Sequence, residues 1–190
     1  MFQIVTRIRG ISVYSQSKFY KTPKLERESH ADYEARTWRD RMHVNEDGNV
    51  IIPSMSLKNC LDSGAREAGI KVPGGGQKRY TGMIEKAVMV LDPVVLPIKA
   101  IDVPGDWVFV PSDGIRGGGK RVEKCFGIIP IGWGGDVTWT IMDEGITLDV
   151  FKKCLTTAGM LIGLGRFRPQ SRGSYGRFVV ESCDRVEMTE

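Results

Sequence analysis

Two stretches of this 190-residue chain place apolar residues at helical spacing, and strand-like patterns bracket both. In the first, Leu57, Cys60, Leu61 and Ala65 share one face between a serine pair, Ser54 and Ser56, and Gly69. Either serine suits a helix N-cap, and glycine takes the left-handed backbone that ends a helix. In the second, Leu148, Phe151, Cys154, Leu155, Ala158 and then Leu161 or Ile162 follow Thr147, another capping residue. Residues 2–13 alternate, with Phe2, Ile4, Thr6 and Ile8 on one side and Arg7 and Arg9 on the other, as a half-buried strand requires. Residues 87–96, with Pro93 and Pro97 at their bounds, read as a buried strand, and 107–110 as a short one. Residues 125–131 and 136–142 read as strands joined by a turn at 132–135, and 178–186 close the chain as a strand. The order predicts an α+β, ferredoxin-like βαββαβ fold with long loop insertions. Helices on one face of such a sheet leave the other face free, and RNA-binding modules use such a face.

The insertions carry most of the polar and basic residues. Residues 15–49 are too long and too polar for a simple connection, and such loops are functional or mobile. Basic glycine-rich loops follow at about 73–82 and 114–124. At 41% hydrophobic and 26% charged, the chain has enough apolar residues for one core and is read as one domain over 1–190. A net charge of +4 is mild, so the placement of the cations matters more than their sum. Cys60, Cys125, Cys154 and Cys183 stand far apart, without metal-ligand spacing, and are expected reduced and mostly buried. No metal or cofactor is expected. The absence of a leader or a long apolar run predicts a cytoplasmic protein with no membrane partner.

The stretch GLGRFRPQSRGSYGRF (163–178) interleaves glycine, arginine and aromatic residues and holds no acid. Arginine pairs with phosphates in a fork geometry, glycine permits close backbone approach, and aromatics stack on bases. This composition between the second helix and the last strand points to a nucleic-acid backbone.

Two segments together resemble a known family. IPSMSLKNCL (52–61) is similar to the IPGSSLKGAL segment of RAMP proteins, and the loop 163–177 is similar to their glycine-rich loop, whose GYGR-like end reads SYGR (174–177) here. RAMP proteins are the backbone and guide-handling subunits of CRISPR effector complexes in antiviral defence. The resemblance covers the core elements but not the middle loops, Ser54 replaces a family glycine, and the chain is shorter than most backbone subunits. It implies a ferredoxin-like RNA binder that oligomerises head to tail along a single-stranded guide RNA, as a filament with other effector subunits. It also implies a thumb that kinks the strand, for which 15–49 or 74–82 are the candidates. A short, phage-borne relative that binds single-stranded DNA or RNA, or mimics a backbone subunit to inhibit CRISPR, is one alternative; a RAMP-type endoribonuclease is another.

The expected RNA-binding residues are Arg166, Arg168, Arg172, Gly173, Tyr175, Gly176 and Arg177 in the late loop, and Ser54, Ser56, Lys58 and Asn59 at the first helix, whose N-terminal amides suit a phosphate. Lys78 and Arg79, then Arg116, Lys120 and Arg121, are candidates in the other glycine loops, with Tyr80 beside the first pair. Trp38 is either a base platform or a pin that holds its insertion to the core. Asp32, Glu34 and Asp40 occupy the region where some RAMP subunits carry a cleaving acid, but no motif singles one out. His30 and His43 have no evident catalytic partner, so no catalytic residue is assigned.

Overall fold

A computed structural model describes residues 1–112 and 119–187. In chain order the elements are β1 (Phe2–Gly10), α1 (His30–Thr37), β2 (Asn49–Ile52), α2 (Ser54–Ala68), α3 (Thr81–Ala87), β3 (Val88–Met89), β4 (Val94–Lys99), β5 (Gly105–Pro111), β6 (Arg121–Gly127), β7 (Gly134–Ile141), α4 (Leu148–Thr157) and β8 (Phe178–Glu187). Four strands form the main sheet in the order β3-β7-β1-β8, and every neighbouring pair is antiparallel. With α2 and α4 as the crossover helices this is the ferredoxin-like order.

Alternation along β1 sets the two sides of the sheet. Phe2, Ile4 and Ile8 are buried with Trp139 and Ile141 of β7, beneath Leu57 and Leu61 of α2 and Phe151 and Leu155 of α4. Thr6 shares that buried side because its hydroxyl accepts from the Trp139 indole at 2.9 Å, so the core holds no unpaired donor there. Helices α2 and α4 meet at Gly64, where a Cβ would come within 2.5 Å of the Ala158 Cβ. On the opposite side, Arg7 lies 3.0 Å from Asp136 and Arg9 pairs with Glu181. The free face foreseen for RNA therefore has its arginines engaged by carboxylates.

Several local expectations are corrected. Neither Ser54 nor Ser56 caps α2: Pro53 is the capping residue, and Ser54 is already helical. The stretch 87–96 is not one strand. It divides into β3 in the main sheet and β4 beside β2, because Asp92-Pro93 interrupts the ladder where proline has no N–H to give. Strand β6 begins at Arg121, so Arg121 stands in a two-stranded ribbon with β5 rather than in a loop. The first strand stops at Gly10, over which the Trp133 ring lies too close for any Cβ.

The insertion 15–49 is an ordered part of the structure. Ser29 caps α1, its hydroxyl accepting from the Asp32 amide at 3.1 Å, and Trp38 is buried against β5 and β6. The pinning role for Trp38 is the one observed. Glu34 and Arg41 form a buried ion pair, and Glu34 also accepts the Cys125 amide at 2.9 Å, which fastens α1 to β6. The four cysteines are free thiols, three of them buried, as expected.

Candidate nucleic-acid interface

The late arginine-glycine stretch is a folded platform. Helix α4 widens into a π turn at Ala158–Ile162, and Gly163 leaves it with left-handed backbone. The chain then folds back on itself: the Leu164 amide donates to Gly176 at 2.9 Å, Tyr175 to Phe167 at 2.9 Å and Gly173 to Arg168 at 3.0 Å. Two further bonds fix the platform to the segment after β1, from Arg166 to the Ser15 carbonyl and from Gly176 to the Val13 carbonyl, both 2.8 Å. Phe167 packs edge-on against Phe126 and Tyr175, with centroids 5.1 and 5.6 Å apart.

This packing corrects the part assigned to two glycines. A Cβ on Gly173 would sit 1.9 Å from the Phe167 carbonyl oxygen, and one on Gly176, whose φ is +69°, 1.9 Å from that of Leu164. Their missing side chains make room for the loop's own backbone, not for a ligand.

Between the platform and α2 lies a cleft of about 260 Å³. Ser56, Asn59 and Ser63 line it from α2, Arg168 and Gln170 from the platform, and Tyr14, Gln16, Ser17 and His43 from the insertion side. Among the described residues no carboxylate lines it. Arg168 is held in place by donating to the Gly165 carbonyl at 3.0 Å and to Gln170 at 3.1 Å. Gln16 braces the far wall, donating to Ile51 at 2.7 Å while its carbonyl accepts the His43 amide at 2.7 Å. Burial, helped by nearby Lys18, holds the His43 imidazole below its ordinary pKa, so at neutral pH it is a neutral donor or acceptor. Burial pushes the Tyr14 phenol far above the usual tyrosine range.

The predicted residues separate into distinct places. Ser56, Asn59 and Arg168 come together in the cleft across a long sequence separation. Arg166 lies just outside it, stacked on Phe126 at 4.5 Å and donating to Ser17 at 2.7 Å; burial lowers its pKa from the usual arginine value. The Arg172 side chain is exposed, with left-handed backbone, while Arg177 donates to the Met160 carbonyl at the end of the π turn. Lys58 is turned away from the cleft: it pairs with Asp62 and donates to the Ile84 and Glu85 carbonyls, so its charge joins α2 to α3. Ser54 does not line the cleft. Lys78 and Arg79 are exposed beyond the C-terminal end of α2 and do not line the cleft. Lys120 and Arg121 are exposed at the outer end of the β5–β6 ribbon, and Arg116 lies outside the described residues. Gln16, Ser63 and Gln170 are cleft residues that the sequence does not single out, and His43, weighed there only as a catalytic group, is a wall of the cleft. Their polarity is ordinary, and only the fold brings them together.

Comparison with known proteins adds shape alone. No family model matches the sequence, and no curated protein matches it. Among solved structures, Cmr6 from Pyrococcus furiosus is 15% identical with a TM-score of 0.46, over 95% of this chain and 98% of that one. A chain of the Type III-B Cmr-beta complex bound to cognate target RNA is 12% identical with a TM-score of 0.48, over 98% of this chain and 61% of that one. At such scores and identities the likeness says nothing about chemistry; the fold class stands on the sheet order. Among the described residues no helix is long and apolar enough to cross a membrane.

Proposed function

We propose that this chain is a non-catalytic, RAMP-type RNA-binding subunit of a CRISPR-type ribonucleoprotein, which holds one single strand of RNA along the cleft between α2 and the arginine-glycine platform. The observation that carries the reading is the meeting of the two motif segments in one cleft, lined by Arg168, Ser56 and Asn59 and by no carboxylate among the described residues. Arg168 supplies a charged fork for a phosphate, while the hydroxyl and amide groups of α2 suit phosphate oxygens and ribose hydroxyls. Further copies of the chain, joined head to tail along the strand, and other effector subunits complete the assembly. A repeated heterologous contact of that kind extends openly rather than closing.

The test is binding of single-stranded RNA across a salt series, by fluorescence anisotropy, for the native protein, Arg168→Ala and Asn59→Ala. Loss of the Arg168 charge should lower the log–log salt slope by about 0.7, whereas Asn59→Ala should weaken binding with the slope unchanged. Native protein that ignores single-stranded RNA at low salt overturns the proposal, and so does an unchanged slope in Arg168→Ala. Competing single-stranded DNA should bind more weakly if ribose hydroxyls are read. Size exclusion with RNAs of increasing length tests the head-to-tail part: bound mass should rise with length. Intact labelled RNA with and without Mg²⁺ is the expected result for a non-catalytic subunit.

A further inference from the structure

The cleft does not end at Arg168. Ser17 lines it and also lines a second, shallower depression with Lys18, Phe19, Tyr33, Arg41 and Arg166. Phe19 borders yet another depression on its far side, shared with Lys21 and Arg39. The Phe19 side chain is 80% exposed between these two hollows.

Single exposed apolar residues are common and need no explanation by themselves. Phe19 differs in how its backbone is held. The Lys18 amide donates to the Arg41 carbonyl at 2.8 Å on one side of it. On the other, the Tyr20 hydroxyl accepts from Arg41 at 3.0 Å and the Tyr20 ring lies under the Arg41 guanidinium at 5.4 Å. Arg41 is in turn locked by Glu34. The phenyl ring therefore stands outward on a fixed support, with exposed Lys18 and Lys21 flanking it. Of the nearby carboxylates, Glu34 pairs with Arg41 and Glu28 with Arg36, while Asp40 lines the far hollow beside Lys21 and Arg39 and accepts the Thr22 hydroxyl at 2.6 Å.

We infer that Phe19 is a stacking platform for a base of a single-stranded nucleic acid, on the nucleotide next to the one whose backbone lies in the cleft, with Lys18 and Lys21 on its phosphates. The inference rests on the strand-binding reading of the cleft. Every base has a π face, so a lone aromatic between cations grips a strand without reading its sequence. Continuity with the cleft through Ser17 favours a strand over a protein partner as the occupant.

The experiment compares native protein, Phe19→Ala and Phe19→Trp on two single-stranded RNAs of equal length, one normal and one with abasic residues in the bound window. Phe19→Ala should bind the normal strand about five- to a hundred-fold more weakly, the range measured when stacked aromatics are removed. It should bind the abasic strand as the native protein does, and Phe19→Trp should restore tight binding. The exposed position means that the melting temperature should not move. An unchanged affinity in Phe19→Ala overturns the inference and leaves the cleft reading standing. An equal loss on both strands also overturns it. Loss of self-association without loss of strand binding assigns Phe19 to a protein contact and overturns it too. Native protein that binds neither strand defeats the cleft reading itself, and the platform with it.

Discussion

Replacing Glu34 by alanine should destabilise the protein by about 3–5 kcal/mol, the usual cost of leaving one member of a buried ion pair alone. Its side chain and that of Arg41 are 6% and 12% exposed. Arg41 holds the carboxylate with both terminal nitrogens, the second at 2.7 Å, and the Cys125 amide donates to it at 2.9 Å. Alanine would strand a guanidinium whose other acceptors are the Tyr20 hydroxyl and the Cys125 carbonyl, and would also orphan that amide. Glu34→Gln keeps an acceptor for the amide and removes only the charge, so it should cost less. The pair Glu34→Leu with Arg41→Met should recover most of the loss, because no uncompensated charge remains buried. Urea unfolding followed by far-UV circular dichroism measures all three. The pH dependence is an independent check. Burial by itself pushes the Glu34 pKa up, but the Arg41 and Cys125 bonds outweigh it and hold it below the ordinary value. A carboxyl with a depressed folded pKa stabilises above its unfolded pKa of about 4.3, and that stabilisation disappears as pH falls through the folded value. Native protein should therefore lose stability in acid more steeply than Glu34→Gln. A loss below about 1 kcal/mol in Glu34→Ala, the range of solvated surface pairs, would refute the reasoning.

Gly176→Ala should cost about 2–4 kcal/mol, since a Cβ 1.9 Å from the Leu164 carbonyl forces strain on a left-handed residue and disturbs the bonds to Leu164 and Val13; thermal unfolding reads it, and strand affinity should fall with the platform. Burial pushes the Cys60 thiol up to about 12 and those of Cys125 and Cys154 to about 11, so a thiol reagent at neutral pH should label Cys183 first and the other three only on unfolding, as mass spectrometry of the labelled peptides would show.

The core of the fold was legible because its signals are local. Apolar spacing in α2 and α4 and alternation in β1 depend on residues a few positions apart, and all three elements start where the spacing puts them, though β1 stops at Gly10 and α4 ends in a π turn. The failures have a different cause. Pro53 rather than a serine caps α2, because an extended proline preceding a helix ends the strand and starts the turn without needing a side-chain bond. The insertion looked structureless because α1 is short and polar, and what orders it is the distant Glu34 to Cys125 bond and the burial of Trp38. Lys58 is a phosphate contact on the motif reading, but it pairs with Asp62 one helical turn on and donates to carbonyls of α3, a short helix that no apolar pattern marks in the sequence. The cleft is the sharpest case: its cation, two of its polar groups and His43 are nameable from sequence, but Gln16, Ser63 and Gln170 are not, since polar side chains carry no pattern until packing assigns them a wall.

The division of labour within the late loop follows from the same packing. A basic, glycine-rich stretch suggests a flexible clamp whose every arginine reaches a phosphate. Here the glycines close the backbone on itself, Phe167 and Tyr175 lock it from within, and Arg177 donates to the end of the π turn. Arg168 is left facing the cleft, Arg166 lies at its rim on Phe126, and Arg172 faces solvent. A platform braced in this way loses little backbone entropy when a strand docks. Affinity should then rest on a few fixed contacts and on stacking at Phe19 rather than on diffuse charge. The salt slope should be shallow for a chain with so many arginines, and it should fall on removal of Arg168, Lys18 or Lys21 but not of Arg177.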